Sequence, residues 1–124
     1  MKKVDAYIRH EAFESIRKEL LDKGIPSLSI IDVKGSGRQK GITESYRGSE
    51  LVIHLRPKLK LEIVVDDTEV SVVTDVILKY ARTGEVGDGK IFILPVEDAI
   101  RIRTGERGDS VLQTHEGEEI PSGV

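Results

Sequence analysis

Residues 83–90 read TGEVGDGK. Gly84, Gly87 and Gly89 let a backbone pass close to a ligand with its amides turned inward. Lys90 sets an ammonium beside those amides, which together make a phosphate cradle. A plain helix-to-strand turn with a solvated lysine uses the same residues, and glycine spacing alone does not separate the two. Further on, RIRTG places Arg101 and Arg103 two apart. In extended chain both guanidiniums share a face, and two such forks match a polyphosphate. A solvated edge strand paired with Glu97 or Asp98 fits that spacing equally well. A third basic stretch, KGSGRQKG, frames Arg38, Gln39 and Lys40 between Gly35, Gly37 and Gly41. Lys58, just past Pro57, returns to the base of this segment. A flexible surface connection has the same composition.

Other chemistry finds little support. His10, His54 and His115 are far apart and lack metal-ligand spacing. There is no cysteine, so disulfides, thiolate metal sites and a thiol nucleophile are excluded. The paired acids Asp66-Asp67 and Glu118-Glu119 suit a helix start and a solvated tail better than acid–base work. No base or nucleophile is evident, so an enzyme is not expected. The formal charge of -3 argues against nucleic acid as a partner. No apolar run reaches the roughly 18–20 residues of a membrane span. The start, Met1-Lys2-Lys3-Val4-Asp5, lacks an apolar signal core. A cytoplasmic protein is expected.

These residues need a scaffold. Val4, Ala6 and Ile8 alternate with Asp5, Tyr7 and Arg9, a strand buried on one face. Residues 11–23 change to helical period through Phe13, Ile16 and Leu20, and Gly24 and Pro26 stop the helix. Leu28, Ile30, Ile31 and Val33 form a second strand, followed by a long polar loop. Leu51, Ile53 and Leu55 alternate, Pro57 punctuates, and Leu59, Leu61, Ile63 and Val65 alternate again. Asp66 to Glu69 reads as a capped helix start, with Val70, Val73, Ile77 and Tyr80 at helical spacing and an end near Arg82. IFILPV reads as a buried strand, and EDAIRIR as a segment closing the core. From about Glu106 the chain is polar, and a mobile tail is expected. At 124 residues with 38% hydrophobic content, one domain is expected. Two strand-helix-strand halves predict an α+β, ferredoxin-like βαββαβ sandwich. Helices would cover one sheet face, and the other would need a partner, such as a second copy.

Taken together, VKGSGRQKGITESYRGSE and TGEVGDGKIFILPVEDAIRIRTGE resemble the PII signal-transduction family of nitrogen regulators. The likeness runs from Met1 to about Gly108. The second stretch matches the family's C-terminal signature at Thr83, Gly87, Asp88, Gly89, Lys90, Ile91 and Phe92. The resemblance implies a homotrimer, with a domain over 1–112, a target-docking T-loop over about 37–55 and a polar tail over 113–124. It implies ATP or ADP between subunits, and 2-oxoglutarate bound with Mg²⁺ at the loop base. Ammonium transporters or other nitrogen-metabolism proteins would be the targets, which would bring the protein to the membrane periphery without a span.

The resemblance also implies residue roles. Gly87, Asp88, Gly89 and Lys90 would wrap ribose and phosphates, with Gly37 and Arg38 nearby. Arg101 and Arg103 would reach the phosphates from the adjoining subunit. Ser29, Glu62 and Val64 would meet the adenine side. Gln39 would ligate Mg²⁺, Lys58 would pair with the distal carboxylate of 2-oxoglutarate, and the backbone from Gly37 through Lys40 to Gly41 would hold the rest. Many bacterial members carry a uridylylated tyrosine where this chain has Leu51, so that modification has no acceptor there. Ser49 matches a serine phosphorylated in cyanobacterial members, and is read here as unmodified. His10 stands where relatives commonly have proline. The rival reading is a PII-like sensor with altered ligands: 2-oxoglutarate without ATP, or another nucleotide.

Overall fold

The computed structural model describes residues 1–35 and 55–112. Four strands and two helices alternate as the two halves predict: β1 (Lys2–Ile8), α1 (Phe13–Asp22), β2 (Ser29–Gly35), β3 (Arg56–Val65), α2 (Val70–Ala81) and β4 (Lys90–Pro95). The strands make one antiparallel sheet in the order β2-β3-β1-β4. This is the ferredoxin-like arrangement.

The two-residue alternation sorts the sheet into faces. Val4, Ala6 and Ile8 of β1 and Leu59, Leu61, Ile63 and Val65 of β3 point to the helices and are buried. Ile16 and Leu20 of α1 and Val73, Val76 and Ile77 of α2 close that core from above. The stop after α1 is a Schellman motif. Gly24 adopts φ 83°, its amide donates to Leu21 O at 3.0 Å, and the Ile25 amide donates to Leu20 O at 2.8 Å. Leu20 and Ile25, both buried, supply the accompanying apolar contact. Glu19 Oε1 then ties the helices together, accepting from Tyr80 Oη at 2.5 Å and Lys79 Nζ at 2.9 Å.

Several sequence expectations change. Pro57 does not interrupt: it lies inside β3 opposite Lys34. It is tolerated because β1 pairs with β3 only from Leu59 onward, leaving one side of Pro57 without a ladder to break. Asp66 makes no side-chain cap; its carbonyl accepts from the Glu69 amide at 2.9 Å. Asp67 instead receives the N-terminal ammonium of Met1 at 2.9 Å. IFILPV is not a buried strand in the single chain. β4 is an edge strand, with Phe92 and Ile93 each 50% exposed. An apolar run looks alike whether the fold or a partner covers it.

The segment after β4 does not close the core. It forms a small hairpin with a bridge between Ile100 and Arg107, and Ile102 at its tip is 99% exposed. Order also continues past Glu106, through a 3-10 turn at Asp109–Leu112. The expected strand over Leu51 and Ile53, His54, and the tail from 113 lie outside the described residues; Leu55 precedes β3 and is exposed.

This division of the apolar residues has a direct test. Leu61→Ala, at the fully buried centre, should lower unfolding free energy by about 3 kcal/mol. Ile102→Ala should change it by less than about 0.5 kcal/mol. Urea denaturation of the two variants measures both.

Candidate functional site

Functional groups collect at one end of the sheet. There β1 ends at Ile8 and Arg9, β2 ends at Gly35, β3 begins with Arg56, Pro57 and Lys58, and β4 begins at Lys90. The 83–89 turn joins the end of α2 to this corner.

Asp88 organises the turn. Its Oδ2 accepts from the amides of Thr83 and Gly84, both at 2.8 Å. Its Oδ1 accepts from the Thr83 hydroxyl at 2.5 Å and from the Arg9 guanidinium. The Thr83 hydroxyl and amide, then Arg9 and the Gly84 amide, hold this carboxyl far below the usual carboxylate range, against the opposing effect of burial. Three glycines let the chain close around it: Gly84, Gly87 and Gly89 have φ of 88°, 104° and 100°. At Gly89 a Cβ would stand 1.7 Å from the Tyr7 carbonyl oxygen, so no other residue fits without moving the backbone.

Two cations reach the turn from the sheet. Arg9 also donates to Thr83 Oγ1 at 3.3 Å and to Val86 O at 3.2 Å. Lys58 Nζ donates to the Gly87 carbonyl. Burial, then the neighbouring Arg9 charge, lowers the Lys58 pKa, and Asp88 partly opposes the shift. An incoming carboxylate would offset the penalty that lowers it. Lys90, next along the chain, is exposed. A cavity of about 290 Å³ opens behind the turn, walled by Ile8, Ile77, Leu78, Ala81 and Ile91. Asp88, Gly89, Lys90 and Arg82 also line it, so the end of the turn forms one wall of the hollow, while Arg9 and Lys58 stand outside it.

Gly87, Asp88, Gly89, Lys90 and Lys58 are thus brought together, whereas the sequence places Lys58 only at the base of the 35–41 stretch. Arg9 was missed. It follows a strand with no glycine or second cation beside it, so its only sequence signal was a basic residue at a strand end. Ser29, Glu62 and Val64 are placed differently. Ser29 and Glu62 are cross-strand partners on the open sheet face, and Val64 is two residues beyond Glu62 on the same face. From Lys58 to Glu62 is four residues of strand, roughly 13 Å. Arg101 and Arg103 do not lie in an extended strand, because 102–104 is a turn. The Arg101 amide donates to Glu106 O at 2.9 Å, Gly105 N donates to Arg101 O at 2.7 Å, and Arg101 Nε pairs with Glu106 Oε1 at 2.8 Å. Gly37, Arg38, Gln39, Lys40, Gly41, Ser49 and Leu51 fall outside the described residues.

The open sheet face carries an alternating charge cluster. Lys3 Nζ lies 2.9 Å from Glu62 Oε2 and 3.5 Å from Asp5 Oδ1. Lys60 Nζ lies 3.3 Å from Glu62 Oε2 and 3.8 Å from Asp5 Oδ2. Asp5 is only 8% exposed, and its Oδ1 accepts no hydrogen bond among the described residues. Phe92 packs edge-on against Tyr7 beside this cluster, with Leu94, Ile31 and Val64 also exposed around it.

Comparison with known proteins agrees with this geometry. The family model described as nitrogen regulatory protein P-II matches residues 1–106. The nitrogen regulatory protein P-II of Nostoc punctiforme is 55% identical over 112 residues, 90% of this chain and 100% of that protein. That of Synechocystis is 51% identical, and P-II 1 of Escherichia coli 47%, each over the same shares. A crystal structure of Arabidopsis thaliana PII bound to citrate superposes with a TM-score of 0.73 at 37% identity, covering 94% of each chain.

Two outcomes follow from the turn. Gly89→Ala combines a left-handed φ with a backbone collision and should destabilise by more than about 2 kcal/mol, whereas Gly84→Ala, with open space around it, should lose about 1. Thermal or urea unfolding compares them. An ordinary aspartate is half protonated near pH ~3.9. The lowered Asp88 carboxyl should remain ionised at about pH 3, so its contribution persists on acidification and goes only as pH falls through its own depressed pKa. Carboxyl carbon NMR shifts read this directly; an Asp88 midpoint near 4 would contradict it.

Proposed function

The chain belongs to the nitrogen regulatory protein P-II family, signalling regulators and not enzymes, and from that premise we propose that it senses ATP or ADP together with 2-oxoglutarate. The observation that carries this reading is the corner where the 83–89 turn, Lys58 and Lys90 meet. Glycine backbone and two ammonium groups there suit a polyphosphate and a neighbouring carboxylate. That an Arabidopsis relative is bound to citrate supports a polycarboxylate as one effector.

In this reading Gly87, Gly89 and Lys90 contact the nucleotide, and Asp88 acts from within by shaping the turn. Lys58 leaves the Gly87 carbonyl to pair with the distal carboxylate of 2-oxoglutarate. Gly37, Arg38, Lys40 and Gly41 contribute from the segment leading away. Mg²⁺ suits the donor set: both Asp88 oxygens are engaged, so the cation would be held by Gln39 and by phosphate and organic-acid oxygens. When bound, it would draw two anions together that otherwise repel.

Ser29, Glu62 and Val64 sit toward the other end of the sheet from the turn, so a site using both groups is built most directly from two copies. Arg101 and Arg103 would enter from that same neighbour, on their hairpin. The open face supports such an assembly. Its partly buried charges have opposite-sign counterparts in register, and exposed apolar residues surround them, as suits an interface. A homotrimer is the proposed state. The output is contact with an ammonium transporter or another nitrogen-metabolism protein through residues 37–55, without uridylylation at Leu51 and with Ser49 unmodified. Among the described residues no helix is long and apolar enough to cross a membrane.

Titration calorimetry tests the ligand logic. ATP with Mg²⁺ should tighten 2-oxoglutarate binding, by a coupling of about 1–3 kcal/mol. Equal 2-oxoglutarate affinity with and without ATP would instead favour a sensor with altered ligand use. Lys58→Ala should weaken 2-oxoglutarate far more than ATP, and Arg103→Ala the reverse. Native mass spectrometry should find three copies; a monomer that takes up no nucleotide at millimolar concentration would end the reading.

A further inference from the structure

We infer that Arg9 is the positioning residue of the nucleotide turn. The inference rests on the proposed reading of residues 83–90 as a polyphosphate site. Arg9 follows β1 in extended conformation, with φ -74° and ψ 149°. That conformation sends a half-buried guanidinium across to a segment more than seventy residues away in sequence. It meets the turn at three places: the Thr83 hydroxyl where the turn opens, the Val86 carbonyl at its middle, and the Asp88 carboxylate near its end. A planar fork with several fixed donors can bridge three acceptors in this way; an ammonium on a flexible stem cannot hold them in one geometry.

The second tie from the sheet is Lys58 to the Gly87 carbonyl. In the proposed function that lysine is also the counter-ion of an organic acid. A carboxylate that recruits Lys58 releases Gly87, and the turn is then held by Arg9 and by its own Asp88 bonds. Arg9 therefore keeps the amides aligned for phosphate while Lys58 changes partner. Gly87 itself marks the crowding between the two cations. A Cβ on it would lie 3.2 Å from Arg9 Nη2 and 3.8 Å from Lys58 Nζ. Among the described residues no hydrogen bond engages the Gly87 amide, which leaves that donor for a ligand.

The test compares Arg9→Gln and Arg9→Lys with the unsubstituted protein. ATP affinity is measured by calorimetry, the Gly84 and Gly87 amide resonances by NMR without ligand, and folding by thermal midpoint. Arg9→Gln should bind ATP about tenfold more weakly, the effect of losing charge-assisted hydrogen bonds. Its midpoint should stay within about 5 °C, and both glycine resonances should shift or broaden. Arg9→Lys should recover part of the affinity and only part of the glycine shifts. Unchanged affinity and unchanged glycine resonances in Arg9→Gln would overturn the inference. If Arg9→Gln does not fold, Arg9→Lys decides: full ATP affinity with unshifted glycines overturns it, and weakened affinity with shifted glycines supports it. An unsubstituted protein that binds no ATP removes the reading of the turn and this inference with it. A binding protein with indifferent Arg9 variants removes this inference alone.

Discussion

Everything at the candidate site depends on one carboxylate having enough donors. Asp88 accepts from two amides, a hydroxyl and a guanidinium, which satisfies both of its oxygens. A short, half-buried acidic group with four donors prefers its charged form so strongly that the turn has a fixed centre. Around that centre the glycines can take left-handed angles that an unsupported turn would sample only briefly. The charge of Asp88 is turned inward and neutralised by these donors, while Lys58 and Lys90 stand close to the turn.

The sheet supplies the geometry. Antiparallel register puts the ends of β1 and β2 and the beginnings of β3 and β4 at one corner. Arg9, Lys58 and Lys90 come from three different strands, yet meet because each lies at or just beyond a paired end. Rigid strands place such groups more narrowly than loops do. The burial of Lys58, and then its closeness to Arg9, has a cost, seen in the lowered affinity of Lys58 for its proton. An anion arriving between them would relieve it.

The two sheet faces answer different demands. On the helix side, Leu61, Ile63, Ile16 and Ile77 bury completely and hold the domain together. On the open side, Lys3, Lys60, Asp5 and Glu62 alternate in sign within a few ångströms. These charges pair across the strands, although Asp5 Oδ1 accepts no hydrogen bond among the described residues, and Phe92 and Leu94 lie exposed beside them.

What could be read from residue order alone was whatever depends on neighbours in the chain. The switch from period two to period 3.6 located both helices and the strands of the core, and Gly24 marked a true helix stop. Gly87, Gly89 and Lys90 signalled their turn because close backbone approach demands glycine. The remaining features needed long-range pairing. Pro57 sits within a strand because its other neighbour strand stops short of it. IFILPV is an edge because β1 lies on only one side of it. Arg101 and Arg103 lie on a hairpin because Glu106 and Gly105 return to bond with Arg101. Arg9 offered only a basic residue at a strand end. Local periodicity reports which face of an element is apolar, whereas a contact across seventy residues exists only once the sheet has set the register that brings its two ends together.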